Sequence, residues 1–449
     1  MAEPSDFLPL QVAIVGCGIA GLTAAIALRK HPKIRVVLYE KATELKEIGA
    51  SIALGPNGLR TLQKLGLDNA ISDEVAYRGP SNIPMIYRHW KTNEIIGMDV
   101  HEDVTEHLHH TARYHRGHLH QALLENVPRS IIHLRKKLVS AKADSQEGVT
   151  LEFEDGTIAT ADILLGADGL RSRVRTSFVP DFELKWSGWT AFRSVFDTSL
   201  VESIPDLPLD SAHWWGPDTN FFASRLGKNT YTVVGGVNAD PKDSSATFKN
   251  VEWNQEASVS LLRDKYSTGI NADYTLFLKD WNPVVRALTE VTPSTRFYPN
   301  FSGSSLSTWV FGSRATLIGD AAHAHGGAHA TGGSLAIDDA YCLFLALLSI
   351  FPFTAPRRPS SEEIETALKL YEATRKPHAE RLLKKVHAAN NAKSAKVGIP
   401  EGDEELRARA AKGSDTNWLH EHDVEKAFEE TKTWIEGRLL DADDVSAKL

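Results

Sequence analysis

Cysteine is almost missing from this chain of 449 residues, with only Cys17 and Cys342 present. That excludes a disulfide framework and a cysteine-built metal site, and it suits a reducing compartment. An excess of positive charge is also missing. The formal net charge is −8, which argues against a nucleic-acid binder. Long hydrophobic runs are missing too. The longest late one, Tyr341 to Phe353, is too short to span a bilayer and contains Pro352. The N-terminal apolar stretch lacks the basic segment of a signal peptide. No membrane partner and a cytoplasmic location are therefore expected. No internal repeat is visible. With 42% hydrophobic and 24% charged residues, the composition is that of a globular protein long enough for two domains or one two-lobed unit.

What is present is organised around Val12-Ala13-Ile14-Val15-Gly16-Cys17-Gly18-Ile19-Ala20-Gly21. An apolar run ends in G-x-G-x-x-G, and an Ala/Leu-rich stretch from Leu22 to Lys30 follows. The pattern predicts strand, tight turn, helix. Gly16 permits the turn, Gly18 lets a pyrophosphate reach the backbone, and Gly21 lets helix and strand pack closely. The helix N-terminus offers free N–H groups to phosphate. A second apolar run, Ile34 to Tyr39, ends in Glu40, 19 residues past Gly21. A carboxylate there can accept the hydroxyls of an adenosine ribose. Cys17 fills space inside the loop.

Further along, Ile48 to Gly58 predicts a short strand between glycine turns, and Leu59 to Leu67 a helix. Seven histidines lie between His101 and His120, with neither cysteine nor H-E-x-x-H to give a ligand pattern, so no metal is expected. Arg116 stands where a helix begins and could pair with phosphate oxygens. Val149 to Leu165 reads as a β-hairpin around Glu154-Asp155-Gly156. It closes on Gly166-Ala167-Asp168-Gly169, followed by an Arg-rich stretch. Tryptophans and alternating runs over 183–300, such as Thr190 to Phe196 and Thr230 to Val237, predict a mainly antiparallel sheet able to wall a flat apolar ligand. A later strand ends in Gly319-Asp320-Ala321-Ala322-His323, with a small-residue loop and a helix from about Ser334 to Leu348 behind it. Ile364, Leu368, Tyr371, Leu382 and Val386 have helical spacing across a kink expected at Pro377. Trp418, Leu419, Val424 and Phe428 predict a last helix docked on the body.

Taken together, G-x-G-x-x-G with Glu40, Gly166-Ala167-Asp168-Gly169 and Gly319-Asp320-Ala321-Ala322-His323 resemble the single-component FAD-dependent aromatic monooxygenases. Within these the chain is most similar to the salicylate-hydroxylase-like group, which includes fungal phenol-dearomatising enzymes. The resemblance covers most of the chain. It implies an α/β fold: a Rossmann-like FAD-binding domain (1–75, 106–182 and 301–355), an inserted mainly antiparallel β-sheet substrate domain (76–105 and 183–300), and C-terminal helices (356–449). It implies FAD as cofactor and NADPH or NADH as cosubstrate. Molecular oxygen would react at flavin C4a, and the hydroperoxide would hydroxylate a phenolic ring. Ortho hydroxylation, with oxidative dearomatisation as an extension, is the activity implied. Decarboxylative hydroxylation of a salicylate, or an oxidase or dehydrogenase reaction on the same fold, are the alternatives. A monomer or homodimer is expected.

The resemblance also implies residue roles. Gly16, Gly18, Gly21 and Glu40 would hold the adenosine diphosphate half of FAD. Ala53 would meet the cofactor by its backbone, and Arg116 would meet it at a helix start. Asp168 would serve FAD and the pyridine nucleotide, Asp320 the ribityl chain, and Gly333 the isoalloxazine. Arg193 would hold a substrate phenolate, since a fixed cation lowers a phenol's pKa and orients the ring. Two departures stand out. Gly326-Gly327 replaces a usual proline, which draws attention to His329. No Tyr lies thirty residues after Arg193, where Ser224 stands, with Tyr231 farther on.

Overall fold

The first apolar run is β1 (Leu10–Val15), buried at every position but Gln11. A strand buried on both faces must be covered on both. Residues 8–45, 50–243, 246, 248–266, 281–326, 330–413 and 415–446 are described in the computed structural model, with side chains followed to residue 438. After β1 come α1 (Ile19–Leu28), β2 (Ile34–Tyr39), β3 (Ser51–Leu54), α2 (Pro56–Lys64), α3 (Asp68–Ile71) and β4 (Ala76–Tyr77). β5 (Met85–His89), β6 (Ile95–Asp99), β7 (Ala112–His115) and α4 (Arg116–Leu124) follow. Next are β8 (Ile132–His133), β9 (Leu138–Asp144), β10 (Gly148–Phe153), β11 (Ile158–Ala161), β12 (Ile163–Gly166) and α5 (Arg173–Phe178). The middle of the chain forms β13 (Leu184–Asp197), β14 (Ala212–Trp215), β15 (Asn220–Leu226), β16 (Thr230–Asn238), β17 (Glu256–Ala257), α6 (Val259–Tyr266), α7 (Pro283–Val291) and β18 (Thr295–Gly303). It ends with β19 (Val310–Phe311), β20 (Ala315–Leu317), α8 (Gly332–Ile350), α9 (Ser361–Ala395), α10 (Asp403–Ala411), α11 (Asn417–His420) and α12 (Val424–Ser446).

The central sheet runs β19-β20-β12-β1-β2-β8, parallel except at the β19 edge. The expected hairpin is corrected here. β10 and β11 pair as one, but at Asp162 the chain leaves them and β12 joins β1 in parallel. The reason lies in the side chains. β12 is buried throughout and needs two covered faces, whereas β11 alternates with solvent. Asp162 marks the switch, its carboxylate accepting the Gln11 N–H at 2.7 Å.

A second sheet runs β17-β18-β13-β16-β15-β14-β5-β6, with only the β14–β5 pair parallel. One face carries Phe192, Phe196, Trp214, Phe221, Tyr231 and Val233 and is sealed by α6 and α7. The other face turns Ala191, Val234 and Tyr298 toward Ala50, on the side of the glycine-loop lobe. Thr232 Oγ1 donates to Ser51 Oγ at 3.1 Å across that boundary.

α8 packs between α1, α2 and α9. It is long and apolar enough to cross a membrane, yet 72% of it is buried inside the fold as a core helix. It starts at Gly332, two residues earlier than expected. α2 likewise starts at Pro56, a first-turn position that suits proline. α9 continues across Pro377 as a single helix, burying Ile364, Leu368, Tyr371, Leu382 and Val386 as their spacing predicts. Leu419, Val424 and Phe428 are buried as well, and α12 packs on α8 and α9.

Candidate active site

The glycine loop is fixed by contact with the Asp168 loop. Gly16 has φ +105°, and a Cβ there would meet the Ala167 carbonyl oxygen at 2.4 Å. A Cβ on Gly21 would meet the Gly16 oxygen at 1.9 Å. Packing therefore requires both glycines. Gly18 differs: a Cβ there would meet nothing within 4 Å. The open space above Gly18 is the head of a cavity of about 210 Å³, lined by Gly18, Glu40 and Arg116 on one side and Trp253, Asn254 and Tyr298 on the other. The Glu40 carboxylate accepts the N–H of Cys17 at 2.8 Å and of Ala42 at 2.9 Å, which aims it along the loop. Below the loop, His120 Nε2 bonds the Cys17 carbonyl at 2.7 Å.

Asp168 lies beside this loop, and its carboxylate is occupied. It accepts from Ser172 Oγ at 2.5 Å and from the N–H groups of Arg173 and Val174 at 2.6 and 3.1 Å, at the start of α5. Burial pushes its carboxyl up while these bonds hold it down. Arg175, buried on α5, ties this loop to the later acid loop. Its guanidinium donates to the carbonyls of Leu170 (2.6 Å), Asp320 (3.2 Å) and Ala321 (2.9 Å). Burial pulls its pKa down to about 10.

The Asp320 side chain is left exposed, 3.8 Å from where a Gly332 Cβ would stand at the start of α8. Behind it, Asp339 accepts from the Gly319 N–H (2.9 Å), His323 Nε2 (2.6 Å) and Arg375 Nε (2.9 Å), all buried. His323 and Arg375 hold the Asp339 carboxyl well below the usual range despite burial. Gly333 packs under β3, where a Cβ would meet Ile52 and Leu54 at 2.9 Å. Ala53 is buried on β3, paired with Arg113 of β7. His329 lies outside the described residues.

Arg193 stands on the sheet face turned toward this lobe, in register with Val234 and Phe222 on the neighbouring strands. Its guanidinium lies 5.3 Å from the Tyr298 ring centre. Its Nε is buried with no hydrogen-bond partner among the described residues. Burial lowers its pKa, Tyr298 opposes that shift, and Arg116 adds a lesser like-charge repulsion. Arg113 is a buried cation nearby, over the Phe222 ring at 5.2 Å. Ser224 bonds Ser211 Oγ at 2.9 Å. Tyr231 is removed as a substrate contact. It pairs with Phe196 and points into the opposite, sealed face.

Most of the seven clustered histidines have ordinary partners: His101 with Thr111, His107 with Asp73, His109 with Gln63, His120 with Cys17, and His115 capping α4. Among the described residues no group of three or more His, Cys, Asp or Glu could hold a metal ion.

The family described as "FAD binding domain" matches residues 9–262 and 289–386. The chain is an FAD-dependent monooxygenase of that family. It is 29% identical over 384 residues to 6-hydroxynicotinate 3-monooxygenase of Pseudomonas fluorescens, covering 84% of this chain and 90% of that one. It is 28% identical to a salicylate hydroxylase of Pseudomonas putida, covering 94% of each. It is 27% identical to hispidin-3-hydroxylase of Neonothopanus nambi, covering 83% of this chain and 86% of that one. A solved salicylate hydroxylase–substrate complex superposes with a TM-score of 0.74 at 23% identity over 94% of this chain and 98% of that one. Klebsiella pneumoniae HpxO, solved with FAD and uric acid, gives 0.70 at 22% over 96% and 97%.

FAD fits what this monooxygenase presents. The open position at Gly18, the carboxylate of Glu40 and the exposed Asp320 at a helix start supply the phosphate approach and hydroxyl acceptors a flavin dinucleotide needs. Arg175, Asp339, Arg375 and Tyr298 carry no motif that marks them in the sequence. The one available signal was charge inside an apolar helix, at Asp338-Asp339.

Proposed function

We propose that this monooxygenase hydroxylates a phenolic aromatic substrate at the carbon ortho to its hydroxyl, using FAD, NADPH or NADH, and oxygen. Gly16, Gly18, Gly21 and Glu40 hold the adenosine diphosphate half of FAD in this reading, and Arg116 meets the cofactor at the start of α4. Ala53, Asp168, Asp320 and Gly333 line the path toward the flavin ring. FAD, when bound, supplies the oxygen activation. One oxygen atom enters the ring, the other leaves as water, and the nicotinamide is oxidised.

The observation that carries the substrate class is Arg193. Arg193 Nε is buried with no hydrogen-bond partner among the described residues, which is costly for a cation, and a bound anion removes that cost. A phenolate answers this need and is the electron-rich form of the ring that an electrophilic oxygen attacks, ortho or para to O⁻. The apolar floor of Val234 and Phe222 keeps the ring dry and oriented. Oxidative dearomatisation is the same attack at a ring carbon that already bears a substituent.

A second reading rests on the likeness to a salicylate hydroxylase of Pseudomonas putida: decarboxylative hydroxylation of a ring bearing both phenolate and carboxylate. The test is a panel of phenols with and without an ortho carboxylate. The readouts are NAD(P)H consumption, peroxide and product mass. A hydroxylated product that keeps its carbon skeleton supports the first reading, and loss of CO₂ supports the second. Peroxide alone across the panel contradicts both and points to an oxidase.

A further inference from the structure

Trp253 is 54% exposed, in a loop that reaches from the large sheet to the glycine-loop lobe. The loop is tightly held. Asn254 sits at φ +66°, in the left-handed region that asparagine tolerates better than other residues with a Cβ, which turns the loop sharply. Its N–H donates to the Phe297 carbonyl at 2.8 Å, and its own carbonyl accepts Arg296 Nη1 at 2.9 Å. Its side-chain oxygen accepts the Tyr298 hydroxyl at 2.7 Å. The Phe297 N–H then returns to the Gln255 carbonyl at 2.9 Å. The Tyr298 ring meets the indole edge-on at 4.9 Å and 89°. This turn and its hydrogen bonds thus hold a large apolar ring partly out in water, with Tyr298 as its ring neighbour. Across the cavity it faces Gly18, Glu40, Leu45 and Arg116.

We infer that Trp253 is a stacking platform for a planar ring of a dinucleotide bound between the two lobes. This rests on the reading that Gly18, Glu40 and Arg116 line a dinucleotide slot. A preoriented indole offers one whole face to a heteroaromatic ring with little side-chain ordering left to do. The ring belongs either to FAD or to the pyridine nucleotide, since both carry such rings on a pyrophosphate. Tyr298 also lies against Arg193, so the platform and the substrate cation share one neighbour.

The test uses Trp253→Ala and Trp253→Phe in purified yellow holoenzyme, with Gly18→Leu as a control on the slot. FAD release on dilution is read by flavin fluorescence, and KM and kcat for NADPH and NADH are measured at saturating FAD. Exposure of Trp253 means that thermal melts of the flavin-free protein should be unchanged. Stacking of this kind predicts that Trp253→Ala weakens one ligand by about tenfold or more, with Trp253→Phe recovering most of the loss. Faster FAD release assigns the platform to FAD. A raised KM for the nicotinamide cosubstrate, with kcat and FAD retention kept, assigns it to that cosubstrate. If Trp253→Ala changes neither while Gly18→Leu is colourless, the inference is overturned and the slot stands. If Gly18→Leu also keeps its flavin, the slot reading itself falls.

Discussion

At the scale of single residues, three neighbouring glycines are required for different reasons. Gly16 and Gly21 are needed by the protein's own packing, Gly18 by what binds above it. Gly18→Leu should therefore give a folded, colourless apoprotein with a melting temperature near that of wild-type apoprotein. Flavin absorbance and thermal melts check this, and a normal flavin content would contradict it. Arg193→Ala should keep FAD but weaken phenol binding by about 10- to 100-fold, the worth of a charge-assisted hydrogen bond. Wild-type enzyme should induce a phenolate difference spectrum near neutral pH, and Arg193→Ala should abolish it. An unchanged spectrum would remove Arg193 from the site. These positions could be picked out because motif chemistry fixes residue type and spacing. Tyr298 and Trp253 could not, since their neighbours arrive from distant strands and an aromatic in a sheet reads as core.

At the scale of elements, the decisive feature is a buried charged network between the apolar α8 and the charged α9. Asp339 of α8 joins Gly319, His323 and Arg375 of α9, so the Gly-Asp loop is anchored from behind. Its neighbour Asp338 is pushed up to about 6 by burial, although Thr61 and Asn57 donate to it at 2.7 and 2.8 Å. Asp339→Asn should lower stability by about 3–5 kcal/mol, because the buried Arg375 would lose its directly bonded carboxylate partner. The lowered carboxyl of Asp339 contributes stability fully above its ordinary value of 3.8, and that contribution is lost as pH falls below it. The raised carboxyl of Asp338 acts oppositely, its contribution being present below 3.8 and lost as pH rises through about 6. Urea titrations of wild type and Asp339→Asn between pH 3 and 7 check this. The stability gap should narrow toward the acid end, and a constant gap would contradict the assignment. Strands and helices were mostly legible here from periodicity. The hairpin over 149–165 was misread at β12, because alternation and continuous burial meet at Asp162 without a turn residue to mark the change of sheet.

At the scale of the whole molecule, two sheets face each other across a crevice. The parallel one delivers the ends of β1, β2, β12 and β20, where the acid and glycine loops collect. The large sheet offers Arg193, Val234, Phe222 and Tyr298 from its unsealed face. The parallel half was legible because βαβ units repeat a strand–loop–helix signature. The face assignment of the large sheet was not. Only the register shows that Tyr231 points away and Arg193 toward the crevice, a distinction that one residue of slip would reverse. The most direct test is turnover of a phenol by the yellow holoenzyme under ¹⁸O₂, with NAD(P)H oxidation followed alongside. The account predicts one labelled oxygen atom in the product per nicotinamide oxidised under coupled turnover. Product oxygen drawn from water, or phenol-stimulated oxidation that yields only labelled peroxide with every phenol, would contradict it.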